Sequence, residues 1–427
     1  MRDMKEKFEE LQKADGSGWL GAIREKAFQQ YNEMGIPSMR HEEYKYTRVS
    51  GLFNKDYGIA PQNGVQAADI DALRLPGHEN ANELVFINGI YNDGASTIKS
   101  KGLSVISLEE AASQYKDIVT KHFNHSAQYL NDGVNALNTA LVNGGIYIHT
   151  AAGTVIEHPV YIYNINDARE VPVFAQPRTL VYVNERVEIS IVETYVTLGN
   201  SDTLTNQVIE MVVAKDAHLS YYKLQNDKST TSQVNTTHIQ QIGKSVANSV
   251  TISLDGGIVR NNLHAVMEAS FAESHLYGLY LTNGKTHVDT HSIVDNVVPD
   301  CESNELYKGV LNGESVGVFN GKIFVRKDAQ KTNAFQSNKN ILLSENASVN
   351  TKPQLEIYAD DVKCSHGCTV GSIDTDSLFY LRSRGVPEKV AVALLLQGFA
   401  LDILEKIKLA PIRSYVEKLI EDRLSIQ

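Results

Sequence analysis

Cysteine is scarce in this chain. Three stand among 427 residues, two of them four apart, which excludes a disulfide-stapled framework. Long apolar runs are missing too. The longest, VAVALLL at 390–396, falls well short of the roughly 20 residues that span a bilayer as a helix. No lysine- and arginine-rich run occurs, and the net charge is -11, which argues against nucleic acid as the main partner. The amino-terminal MRDMKEKFEELQKADG is charged and has no apolar centre, so it does not read as a signal peptide. HExxH and CxxC motifs are absent. Gly243-Lys244-Ser245 and Gly284-Lys285-Thr286 resemble the tail of a phosphate loop, but its first glycine would fall at His238 and Leu279. These absences lead to the expectation of a cytoplasmic protein with neither a membrane nor a nucleic-acid partner.

What is present falls into three zones. Residues 1–82 read helical, with KEKFEELQKA and GWLGAIREKAFQQYNEMG carrying apolar positions three and four apart, and Gly35 and Pro37 ending the second helix. Residues 83–371 are a succession of short β-branched and aromatic runs such as ELVFING, PVYIYNI, RVEISIVETYVT and VGVFNGKIFV, punctuated by Asn, Asp and Gly. Short helices are expected at 107–115 and 135–141. VYVNERVEIS, VVAKDAHLSY, ASFAESHLYGLY and LLSENASVN echo one another at roughly 30 residues or its multiples. Strands without intervening long helices exclude a doubly wound α/β fold, and a parallel β-helix fits the length and the recurring turns. Residues 372–427 are helical again, with Asp374 as an N-cap, Gly385 as a stop and Pro387 opening the next helix. That middle helix is apolar on too much of its circumference to be an ordinary surface helix, so it is buried in its own bundle or presented to a partner.

Chemistry concentrates at 358–385, YADDVKCSHGCTVGSIDTDSLFYLRSRG. On a strand, residues two apart share a face, which places Cys364, His366 and Cys368 together. A thiolate beside an imidazole suits zinc, copper or iron–sulfur chemistry, although the pair cannot close a four-ligand site alone. The plainer reading, a small core cysteine beside a hydrogen-bonded histidine, stands next to it. His287, Asp289 and His291 would also share a strand face, as metal ligands or simply as polar rungs. Asp300, Glu302 and Glu305 are the carboxylates that a polysaccharide-cleaving β-helix would need, but no secretion signal accompanies them.

ADDVKCSHG followed by TVG and LFYLRSRG, with the upstream run from VPDCESNELYKG to KPQLEIY and the early RHEEYKYT, resembles the SufB/SufD family of the SUF iron–sulfur cluster assembly system. The likeness is strongest over residues 285–400. Within the family it is closer to the SufD branch: SufB-like chains carry a cysteine where this one has Leu381. Two departures are Tyr44, where tryptophan is usual, and Cys368, where alanine is common. The resemblance implies a right-handed parallel β-helix core between amino- and carboxy-terminal helical domains. It implies pairing with SufB through the β-helix, docking of the SufC ATPase on the carboxy-terminal helices, and no ATP site in this chain. Val390, Leu394, Leu395 and Phe399 are then the expected docking residues. His366 is implied at the SufB interface, holding or building a nascent iron–sulfur cluster shared with a SufB cysteine. Cys364 is a secondary ligand, and Asp360 and Asp361 would orient His366. A scaffold subunit rather than an enzyme is therefore expected, flavin involvement being left open. Two other readings stand beside it: a β-helix lyase or acyltransferase using His366 as base, and a SufB-like cluster carrier. The isolated chain is also expected to pair with itself through the edge meant for SufB.

Overall fold

Alternation of apolar and polar residues with a turn every dozen or so positions folds the middle of the chain into a parallel β-solenoid of about eight turns. The structure, a computed structural model, describes residues 2–15, 18–61 and 64–425, so the very ends of the outer two zones (residues 1, 426 and 427) lie outside it. Successive strands alternate between an 11-stranded and a 10-stranded sheet, each pairing in parallel with the strand one coil earlier. From Ile146 onward a coil takes from 26 residues (Gln233 to Val259) to 33 (Ile146 to Thr179). The doubly wound alternative is therefore excluded.

Three of the four sequence echoes lie on one row of corners, and LLSENASVN turns on the opposite row, between Asn333–Leu342 and Ser348–Ile357. Arg186, Asp216, Phe271, Asp300 and Lys331 all adopt left-handed backbone, with φ between 56 and 63°. Corner backbones bond to one another from coil to coil: the Arg186 N–H donates to Lys215 O at 3.0 Å, and that of Asp300 to Gln330 O at 2.9 Å. Gly243-Lys244-Ser245 and Gly284-Lys285-Thr286 are likewise turns. Each is followed by a strand, Val246–Asp255 and His287–Asn296, instead of the helix that a phosphate loop requires.

Inside the solenoid the inward residues of both sheets form the main core, including Ile189, Tyr221, Leu263, Leu276, Tyr307, Phe319 and Ala334. At the amino-terminal end the sheets finish in antiparallel pairs, Leu103–Ser107 with Ile146–Thr150 and Asn82–Ile87 with Ile90–Tyr91. Helices Arg2–Asp15 and Trp19–Met34 lie over this region, the second ending at Gly35 (φ 63°). The two short helices are Leu108–Gln114, capped by Ser107, and Gly133–Ala140, capped by Asp132.

The opposite end is open. The last two strands, Ser348–Ile357 and Lys363–Gly371, each have a neighbour on one side only; the first is half-buried along most of its length and the second is exposed. Beyond them come helices Thr375–Ser383, Glu388–Leu404 and Ala410–Ser425. The latter two do not form a separate bundle. They fold back along the flank of the 10-stranded sheet, where Leu396, Ala400, Ile403, Val416 and Ile420 pack on Tyr222, Val250, Ile252, Leu279, Leu281 and Val310. Among the described residues no helix is long and apolar enough to cross a membrane.

Candidate functional site

Cys364, His366 and Cys368 lie on the last strand, whose one neighbour is Asn333–Leu342. They sit opposite Ala334, Gln336 and Asn338, all buried, so the three continue the inward-facing columns of the solenoid at its uncovered end. Strand alternation thus brings them onto one face, as the spacing predicts. Their surroundings differ. Cys364 is half-buried against the main core, and burial pushes its thiol above the ordinary value despite a backbone hydrogen bond from Ala334. Forming its thiolate therefore needs a metal or a positive neighbour. His366 and Cys368 are exposed.

Asp360 and Asp361 turn the corner before the strand, and their backbone N–H groups donate to Gln330 Oε1 at 3.2 and 2.9 Å. No hydrogen bond among the described residues ties either carboxylate to His366. Cys301 is buried elsewhere, its thiol pushed up to about 11 by burial. No three His, Cys, Asp or Glu side chains among the described residues converge on a metal-binding position.

Beside this end, Asp374 caps helix Thr375–Ser383 by accepting from the Asp376 N–H at 3.1 Å, and Gly385 (φ 87°) stops it. Leu381 is half-buried on that helix, while Phe379 and Tyr380 are 75% and 57% exposed. With Phe335, Ile357, Tyr358 and Val370 they give the open end an apolar rim.

The four expected docking residues divide. Val390 and Leu394 are about half exposed, joined by Leu401, whereas Leu395 and Phe399 are largely covered. Lys308 reaches from the solenoid over the Phe399 ring and donates to Phe399 O at 2.8 Å and to Asp402 at 2.5 Å. The wide apolar circumference of this helix thus has two uses, a face on the sheet flank and a face in the open.

His287, Asp289 and His291 do share a face, on the outside of the 11-stranded sheet, where they anchor the RHEEYKYT segment. Arg260, fully buried, donates to Asp289 and to Glu43 O at 2.7 Å each and stacks 3.9 Å over the Tyr44 ring. Thr47 donates to Asp289, and His291 lies 3.2 Å from Glu43. The His291 hydrogen bond, against the opposing effect of burial, holds Glu43 down at about 2. The three carboxylates Asp300, Glu302 and Glu305 do not cluster: Glu302 is exposed, Asp300 forms a corner and Glu305 points into the interior. Neither the Arg260 anchor nor the buried Glu305 is evident from spacing alone. The signal that finds Glu305 is its place on an inward, period-two column once the coils are aligned.

Comparison with known proteins adds two family-level matches. Residues 163–399 match the SUF system FeS cluster assembly SufBD core domain, and residues 3–162 match the SufBD protein N-terminal region. The iron–sulfur cluster assembly protein SufD of Escherichia coli is 30% identical, covering 93% of this chain and 91% of its own. An iron–sulfur cluster assembly SufBD family protein of Synechocystis is 29% identical over 91% of this chain and 87% of its own. SufD of Bacillus subtilis is 23% identical over 95% and 94%.

Proposed function

The chain belongs to the SufBD family and serves iron–sulfur cluster assembly in the SUF system, and we propose that it does so as a non-catalytic, SufD-type scaffold subunit. The observation that carries this reading is the bare end of the solenoid. A column ending in Cys364, His366 and Cys368 stops there at two unpaired strand edges ringed by exposed aromatic residues. Unpaired edges with an apolar rim suit a partner that adds its own strands, and SufB is that partner in this reading. His366 then supplies an imidazole to a cluster built at the junction as cargo, the thiolates coming chiefly from SufB. Leu381, unable to ligate, supports an accessory place for this chain.

The exposed stripe Val390, Leu394 and Leu401 docks the SufC ATPase. ATP-driven pairing of SufC subunits pulls on this helix and shifts the SufB junction between two states, each with its own contacts. Replacing His366 by Ala in the SufB–SufC–chain complex is expected to leave assembly of the complex intact and to abolish cluster formation, read by absorbance after anaerobic reconstitution. Full cluster formation would remove His366 from the ligand set. Leu394→Lys is expected to release SufC in co-purification while SufB stays bound; retained SufC would rule out this docking face.

A further inference from the structure

The His366 column continues inward. Leu276, Glu305, Gln336 and His366 occupy one register position on four successive strands of the 10-stranded sheet. Adjacent strands lie about 4.8 Å apart, so the Gln336 side chain sits directly beneath His366, and Glu305 one coil deeper. Both are buried, Glu305 completely enough that desolvation pushes its carboxyl up to about 7. The Gln336 Nε2–H donates to Glu305 Oε2 in a short hydrogen bond. Across the lumen Gly321 makes the room for this amide: a Cβ there would stand 2.3 Å from Gln336 Nε2 and 2.8 Å from its Cδ.

Gln336 Oε1 is buried and has no hydrogen-bond partner. The Glu305 oxygen that accepts from Nε2 fixes which end of the amide turns inward. The amide oxygen is thereby turned away from Glu305, and the column beyond it holds only His366. A buried carbonyl without a donor is unfavourable, and an imidazole N–H from the paired position on the next strand can supply one. Neutral imidazole carries its proton on one nitrogen and a lone pair on the other, and ligating histidines commonly give that N–H to a carbonyl or carboxylate.

From this arrangement we infer that Glu305 and Gln336 are positioning residues for His366, the Gln336 carbonyl taking its N–H so that the other ring nitrogen faces out of the open end with its lone pair free. This rests on the reading of His366 as a ligand at a shared site.

The test uses the full chain without partners, labelled with 15N-histidine, and long-range 1H–15N NMR of the His366 ring, assigned by its disappearance in His366→Ala. Wild type is expected to hold one tautomer predominantly. Gln336→Leu is expected to relax the ring to the mixture of free imidazole, and Glu305→Leu to do the same by freeing the amide to turn. Glu305→Gln keeps an acceptor and is expected to restore the wild-type tautomer, which loss of packing alone would not do. Gly321→Ala, which displaces the amide without touching either residue, is expected to shift the ring as Gln336→Leu does, and it serves should that variant fail to fold. An unbiased tautomer in wild type, or one unchanged in a folded Gln336→Leu chain, overturns the inference. Those outcomes are independent of the reconstituted complex: a biased ring together with normal cluster formation by His366→Ala would instead overturn the ligand reading.

Discussion

Arg260 is held between Asp289, the Glu43 carbonyl and the Tyr44 ring with no exposure to water. A buried ion pair adds little net stability, but removing one partner strands the other charge. Arg260→Met is therefore expected to lose about 3–5 kcal/mol in urea unfolding and to loosen the RHEEYKYT segment. On the same sheet face His264 and His238 are buried neutral, His264 pushed down to about 3 by burial and by the neighbouring His291, and His238 pushed well down by burial and by His264. Their folded values lie below the ordinary 6.5, so their contribution is complete above that pH and is lost as pH falls from 6.5 toward 3. At pH 5 His264 costs about 2 kcal/mol and His238 acts in the same direction, so unfolding free energies measured between pH 7 and 5 should fall steeply. In His264→Gln that slope should shrink by about one proton. At this scale the sequence yields faces but not depths. Strand spacing puts Cys364, His366 and Cys368 together, yet nothing in DCESNE distinguishes Glu305, deep in the lumen, from Glu302 in solvent. Depth is fixed by which coil lies above and below, and that information sits about 30 residues away.

Helix Glu388–Leu404 shows the same division one level up. Its start is written in Pro387 and its existence in the apolar run, and the structure has both. Its buried side is not written there, because apolar residues surround the axis and the surface it packs on is assembled from strands far upstream. The two faces should respond differently. Leu396→Ala, on the sheet flank, is expected to cost about 2–5 kcal/mol of chain stability. Leu394→Lys should change it by less than about 0.5 kcal/mol, and both are read by the urea midpoint of the chain alone. The strands were the more legible elements. Polar corners recurring near 30 residues or its multiples marked the coils because a left-handed residue stands at the same corner of five of them.

The molecule as a whole is capped at one end and bare at the other. In the isolated chain, the alternate amides of Lys363–Gly371 that point away from Asn333–Leu342 are expected to exchange with solvent fast, since that edge of the strand is unpaired. When the partner's strands cover that edge the same amides should become protected, as hydrogen exchange of free and complexed chain would reveal. The return of the last helices along the sheet flank bears on how the protein is made. Coils form from contacts close in sequence, so the solenoid can build as it leaves the ribosome. Its apolar flank, from Tyr222 to Val310, is finished before the first residue of its cover, at Glu388, has been synthesised. For that interval a sticky surface stands uncovered. A chain ended at residue 371 would carry it permanently, and is expected to bind a hydrophobic dye and aggregate where the full chain does neither. The helices after residue 371 are thus a late-arriving lid on the nascent chain, and dependence on chaperones is expected to be greatest before they emerge.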